Sequence, residues 1–142
     1  MQHPQRDEGS GGGDRAVRFS LLSATLGLIA TGVLVQALLA GMFLSGTDGA
    51  RMILVVVAAV LPYLTILPTV AAWRQVGRGV VPRRVAVGST FLLIGMWVQE
   101  ALGHMPWPMT TAIHIPLGVL LFALALGLTF AAWGKKAPAP RR

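Results

Sequence analysis

Cysteine is absent from this sequence. Disulfides, thiolate metal sites and lipid anchors attached through cysteine are therefore excluded. Charge is scarce as well. Only 12% of the 142 residues are charged and only five are acidic, whereas a water-soluble domain carries about 25% charged residues. All of the charges but Asp48, Arg51 and Glu100 sit at the chain ends and in one connection. A bilayer enforces that arrangement, because a charge at its centre costs at least ~2.5–3.5 kcal/mol. No Gly-Lys-Ser/Thr phosphate loop, catalytic triad or zinc motif is present, so ATPase, protease and hydrolase readings have no support.

The chain is instead 54% hydrophobic, with a mean hydropathy of +0.67. Its length suits one domain. The net charge of +7 does not indicate nucleic acid, since the basic residues flank apolar runs rather than forming a patch among aromatics. Ten of the twelve basic residues are arginine, and with abundant Ala, Gly and Val this composition points to a bacterial, GC-rich source.

Four apolar runs, Phe19–Leu44, Met52–Trp73, Val85–Leu102 and Thr111–Trp133, are each long enough to cross a ~30 Å hydrocarbon core as a helix, the third only just. Strands are excluded because backbone groups in lipid must be satisfied within the segment. The fold class expected is thus all-α, a four-helix transmembrane bundle. Residues 1–18, polar and Gly/Ser-rich, are expected to form a disordered tail, and residues 135–142 a basic one. His3 falls in the first tail and has no assigned role. The tail is too long and too acidic for a signal-peptide n-region, so no cleavage is expected.

Arg15 and Arg18 precede the first run, Arg74, Arg78, Arg83 and Arg84 lie in the second connection, and Lys135, Lys136, Arg141 and Arg142 follow the fourth run. The other connections hold Arg51 beside Asp48, and His104. The positive-inside rule then places both termini and the middle connection in the cytoplasm, with the chain in the bacterial inner membrane. Trp73, Trp107 and Trp133 suit interface anchors. Pro62 and Pro68 are expected to kink the second helix and free carbonyls near Tyr63, Thr65 and Thr69, while Pro116 is placed in the first turn of the fourth helix, where it is tolerated. A small multidrug-type transporter would want a buried acid on the first helix, and there is none.

The chemistry concentrates in Val98–Gly118, which holds Glu100, the one acidic residue inside an apolar run, together with His104 and His114. Gln99 has Gly95 and Gly103 four residues to either side, and Gln36 has Gly32 and Ala40. At that spacing each set lies on one helix face, a small-residue strip with an amide at its centre. The match suggests two hairpins in a parallel repeat, against chance in a chain rich in Gly and Ala.

His114 and Gly118 form a His-x-x-x-Gly pair that suits b-type heme: the imidazole ligates iron and the missing side chain at i+4 gives the porphyrin clearance. The opposing reading is a histidine hydrogen-bonded between helices or facing headgroups. On the heme reading Gln36, Gln99, Gly103 and Glu100 line the pocket and Met52 is a candidate second ligand, since the repeat places no histidine near Met52-Ile53-Leu54. Glu100 is either a buried proton carrier or a solvated carboxylate at a helix end. Met42, Met52, Met105, Met109, His104 and His114 share one membrane face, a ligand set that suits Cu(I).

The pattern Val-Gln-x-x-Leu-x-Gly, then a short turn, then a helix opening with histidine, resembles the hairpin unit of heme A synthase. It is similar also to small four-helix bacterial membrane proteins built like one half of that enzyme. Val35, Gln36, Leu39 and Gly41 carry it in the first hairpin, and Val98, Gln99, Leu102, Gly103, His114 and Gly118 in the second. The resemblance covers about 80 residues and implies heme ligated by a histidine on the second and the fourth helix. Only His114 carries over; Ile53 or a neighbour stands at the other position, and the first helix lacks the acidic residue of the family's catalytic half. The leading expectation is therefore a heme-binding electron-transfer or redox accessory protein. A non-catalytic membrane scaffold or accessory subunit and a Met/His copper-handling protein are the alternatives. Expected partners are the lipid bilayer and a larger membrane complex or a second copy.

Overall fold

The computed structural model describes residues 10–105 and 108–133. Within them the chain forms α1 (Ser10–Leu44), α2 (Ala50–Leu64), α3 (Ile66–Gly77), α4 (Arg83–His104) and α5 (Pro108–Trp133), with no strand among the described residues. His3, Trp107 and the basic tail 135–142 lie outside the described residues, as does the beginning of the N-terminal tail.

Four stretches are long and apolar enough to cross a membrane: Leu21–Leu44, Ala50–Gly77, Arg83–His104 and Ala112–Trp133. This is the build of a small multi-pass membrane protein. The shortest has 22 residues and reaches about 33 Å at 1.5 Å per residue. The third span, expected to end at Leu102, gains its margin by running from Arg83 to His104. α1 begins at Ser10 rather than Phe19, inside the stretch expected to be disordered. Extending an existing helix costs far less than nucleating one.

Prolines and glycines set the breaks. α2 and α3 are one span interrupted at Thr65, between Pro62 and Pro68, as expected from the two missing N–H donors. Buried hydroxyls add hydrogen bonds beside the break. Thr65 Oγ1 donates to the Pro62 carbonyl at 2.6 Å, and Thr69 Oγ1 lies 2.8 Å from the Thr65 carbonyl and 3.0 Å from that of Ser89 on α4. Thr65, Thr69 and Ser89 are all buried. Pro116 is not in a first turn. α5 starts at Pro108, whose fixed φ suits a first helical position, so Pro116 falls inside the helix and deprives the Ala112 carbonyl of its donor. Gly49 before α2 has φ 84° and Gly79 after α3 has φ 66°, left-handed values that glycine adopts without strain.

The helices close a ring in which α1 packs on α5, α5 on α4, α4 on the α2–α3 span, and that span on α1. Leu22, Leu26, Ile29, Val85, Leu92 and Leu121 fill the centre. The outer surface is as apolar as the core, with Leu38, Phe91, Val119, Leu120 and Phe130 exposed. In lipid such burial brings little hydrophobic gain, so close contact has to hold the bundle. Leucines seated on glycines provide it: a Cβ on Gly32 would lie 2.5 Å from Leu61 Cδ2, on Gly95 2.4 Å from Leu121 Cδ2, and on Gly88 2.7 Å from Leu128 Cδ2.

Candidate functional site

The α4–α5 hairpin gathers most of the polar residues singled out in the sequence. Gln99 is buried, and its Nε2 donates to the backbone carbonyl of His114 on the facing helix at 3.0 Å. The same amide lies over Gly118, where an added Cβ would be 3.1 Å from Nε2. One turn toward the connection the roles reverse, and His114 lays its ring on Gly103, with Cε1 3.3 Å from where a Cβ would stand. Two side chains thus fill two glycine gaps reciprocally. Thr110 Oγ1 donates to the Met105 carbonyl at 3.2 Å and ties the start of α5 to the end of α4.

Two atoms of this cluster are buried without a partner: Gln99 Oε1 and His114 Nδ1. Each such group costs about 1–3 kcal/mol, so the contact has unused hydrogen-bonding capacity. Glu100 and His104 lie beside it near the C-terminal end of α4. His104 Nδ1 is 2.9 Å from the Glu100 carbonyl and 3.6 Å from its Oε1, with the His104 side chain 68% exposed and that of Glu100 19%. The Glu100 side chain is thus mostly covered, while its neighbour His104 is open at the helix end.

The remaining candidates stand apart. Gln36 is partly exposed and has no side-chain partner among the described residues. Met52 is 76% exposed at the start of α2. Among the described residues no three His, Asp or Glu side chains gather as a metal-binding set. An open groove of about 610 Å³ lies on a different face of α4, lined by Ile66, Leu93, Ile94, Trp97, Val98 and Ala101, and none of the polar candidates reaches it. Tyr63 meets Trp97 edge-on there, with centroids 5.0 Å apart.

Sequence reasoning missed the buried hydroxyls of Thr65, Thr69 and Ser89 and the buried Gln75. It also missed a second recurrence, Thr69-Val70-Ala71-Ala72-Trp73 against Thr129-Phe130-Ala131-Ala132-Trp133, preceded by Leu61 and Leu64 against Leu121 and Leu124. This recurrence aligns His114 with Leu54. Comparison of the chain with family models, curated proteins and solved structures returns no match.

Proposed function

We propose that this chain is a non-catalytic scaffold or accessory subunit of the bacterial cytoplasmic membrane, with both termini and the arginine-rich α3–α4 connection on the cytoplasmic side. The observation that carries this reading is the use made of the glycine strip. Gly88, Gly95, Gly103 and Gly118, which a flat cofactor would need open, receive Leu128, Leu121, His114 and Gln99. The Gln99 amide is spent on a backbone carbonyl, as expected of a residue that holds two membrane helices in register.

The same reading includes a parallel repeat. Gly32, Gln36 and Met42 recur at constant spacing as Gly95, Gln99 and Met105. The Gly32–Leu61 contact has its counterpart in Gly95–Leu121. From Met52 to Trp73 and from Ala112 to Trp133 the pattern of buried and exposed positions is the same except at Pro62 and Phe122.

A second reading, b-type heme held by His114, is supported by the unpartnered buried Nδ1. It requires His114 to leave Gly103 and Gln99 to leave Gly118, and it needs a second ligand that neither exposed Met52 nor Leu54 readily supplies. The absorption spectrum of protein purified from heme-replete membranes separates the two. The scaffold reading expects a colourless protein that migrates in mild detergent as an assembly larger than its 15.0 kDa chain. A Soret band lost in His114→Ala overturns it in favour of heme, and a colourless strict monomer removes the scaffold as well. Elemental analysis of the same sample for copper tests the Met/His alternative.

A further inference from the structure

At the basic end of the bundle α3 forms one side of a groove of about 310 Å³. Its wall is apolar where Ile66, Leu67, Val70 and Ala71 line it, and its mouth holds Arg74, Gln75 and Arg78. The apolar wall runs about 12 Å from Ile66 to Arg74 at helical rise. Arg74 and Arg78, four residues apart, project from one face, and both are exposed. No carboxylate occurs anywhere from Ile66 to Arg84, so the two guanidiniums have no anion on their own segment. Between them in sequence, Gln75 is only 7% exposed and its Oε1 is buried without a hydrogen-bond partner.

Each part of this groove asks for a different part of one molecule. The apolar wall suits a hydrocarbon chain, the guanidinium pair a phosphate, and the carbonyl oxygen of Gln75 a hydroxyl donor. We propose that the groove seats one anionic phospholipid with a glycerol headgroup. Its acyl chain lies along Ile66–Ala71, its phosphate meets Arg74 and Arg78, and a headgroup hydroxyl donates to Gln75 Oε1. The proposal rests on the chain being a membrane protein, and is independent of what His114 does and of which leaflet the basic end faces.

The test uses the full chain, first reconstituted and shown to resist alkaline extraction from vesicles. Failure at that step overturns the membrane reading itself. Delipidated protein in detergent is then titrated with phosphatidylglycerol, phosphatidylmethanol and phosphatidylcholine, and bound lipid is counted by native mass spectrometry. One phosphatidylglycerol is expected per chain, preferred over phosphatidylcholine by roughly thirtyfold, the combined attraction of two arginines for an anionic lipid.

The Arg74→Gln/Arg78→Gln pair should abolish that preference, while Arg83→Gln/Arg84→Gln, at the same end of the bundle but outside the groove, should leave it intact. Gln75→Leu should bring phosphatidylglycerol down to the level of phosphatidylmethanol, a diester of the same charge without a headgroup hydroxyl, with both still above phosphatidylcholine. Circular dichroism checks that the variants remain helical. Equal binding of all three lipids overturns the site. Equal losses from the two arginine pairs overturn it in favour of diffuse surface charge, and an unchanged phosphatidylglycerol advantage in Gln75→Leu overturns the headgroup assignment.

Discussion

The first hairpin, α1 with α2–α3, and the second, α4 with α5, share a packing device and differ in chemistry. In each, a glycine in the middle of the first helix receives a leucine from the second, Gly32 with Leu61 and Gly95 with Leu121. One turn on, each has a glutamine. Gln99 crosses to the facing helix and bonds the His114 carbonyl, whereas Gln36 has no such partner among the described residues and Leu54 stands where His114 would. The difference lies in what faces the amide. Gly118 leaves room for the Gln99 amide, whose Nε2 is 3.1 Å from where a Cβ would stand, and the aligned position on α2 is Ala58.

The largest effect should come from filling the shared device. Gly95→Val and Gly32→Val both place a side chain where Leu121 or Leu61 now sits, and each should cost about 1–3 kcal/mol through overpacking. Gly41→Val, which meets open space, should cost little. Denaturant unfolding in mixed micelles reads this directly. If Gly95→Val is damaging and Gly32→Val is silent, the likeness of the two hairpins is superficial.

A smaller effect is expected where the hairpins differ. Gln99→Leu removes an interhelical hydrogen bond and should cost about 0.6–1.7 kcal/mol, while Gln36→Leu should be near neutral in the same assay. Equal values would mean that the Gln99–His114 contact contributes nothing of its own. The complementary change, Leu54→His, probes the heme reading. If heme binds weakly through His114 alone, a second histidine at the aligned place should sharpen and intensify the Soret band; a scaffold stays colourless.

The smallest effect separates two aligned threonines. Thr69 Oγ1 reaches the Ser89 carbonyl on α4 as well as its own helix, while Thr129 Oγ1 donates to Ala125 within α5 at 2.8 Å. Thr69→Val should therefore destabilise by about 0.6 kcal/mol and Thr129→Val by less. The reverse order would show that the α3–α4 bond is not what holds the broken span in place.

Much of this architecture is legible in the chain. The four apolar runs, the break between Pro62 and Pro68 and the glycine–glutamine strip are all visible there, because each follows from local composition or from spacing along one helix. The start of α5 is not. Pro116 reads as a first-turn proline because Pro106 and Pro108 suggest a longer turn, yet Pro108 itself opens the helix. Gln75 escapes notice because it stands among arginines, where a polar residue is ordinary until its burial is known. The Thr-x-Ala-Ala-Trp recurrence, by contrast, is a matter of spacing alone, and it aligns His114 with Leu54 without reference to any contact.

The sequence by itself determined that this is an all-helical chain with four segments able to cross a bilayer, since apolar length and the backbone's need for internal hydrogen bonds leave no other regular structure. It also determined which helix faces are smooth. Which side chains occupy those faces was decided only by the tertiary structure. Periodicity places Gly103 and Gly118 on their own helices, but the relative height of α4 and α5 decides whether they stay open for a flat ligand or are covered. Leucines seated on Gly88 and Gly95 fix that height, through contacts between residues far apart in the chain that carry no local signature. With the helices at that height the His114 ring lies on Gly103 and the Gln99 amide on Gly118.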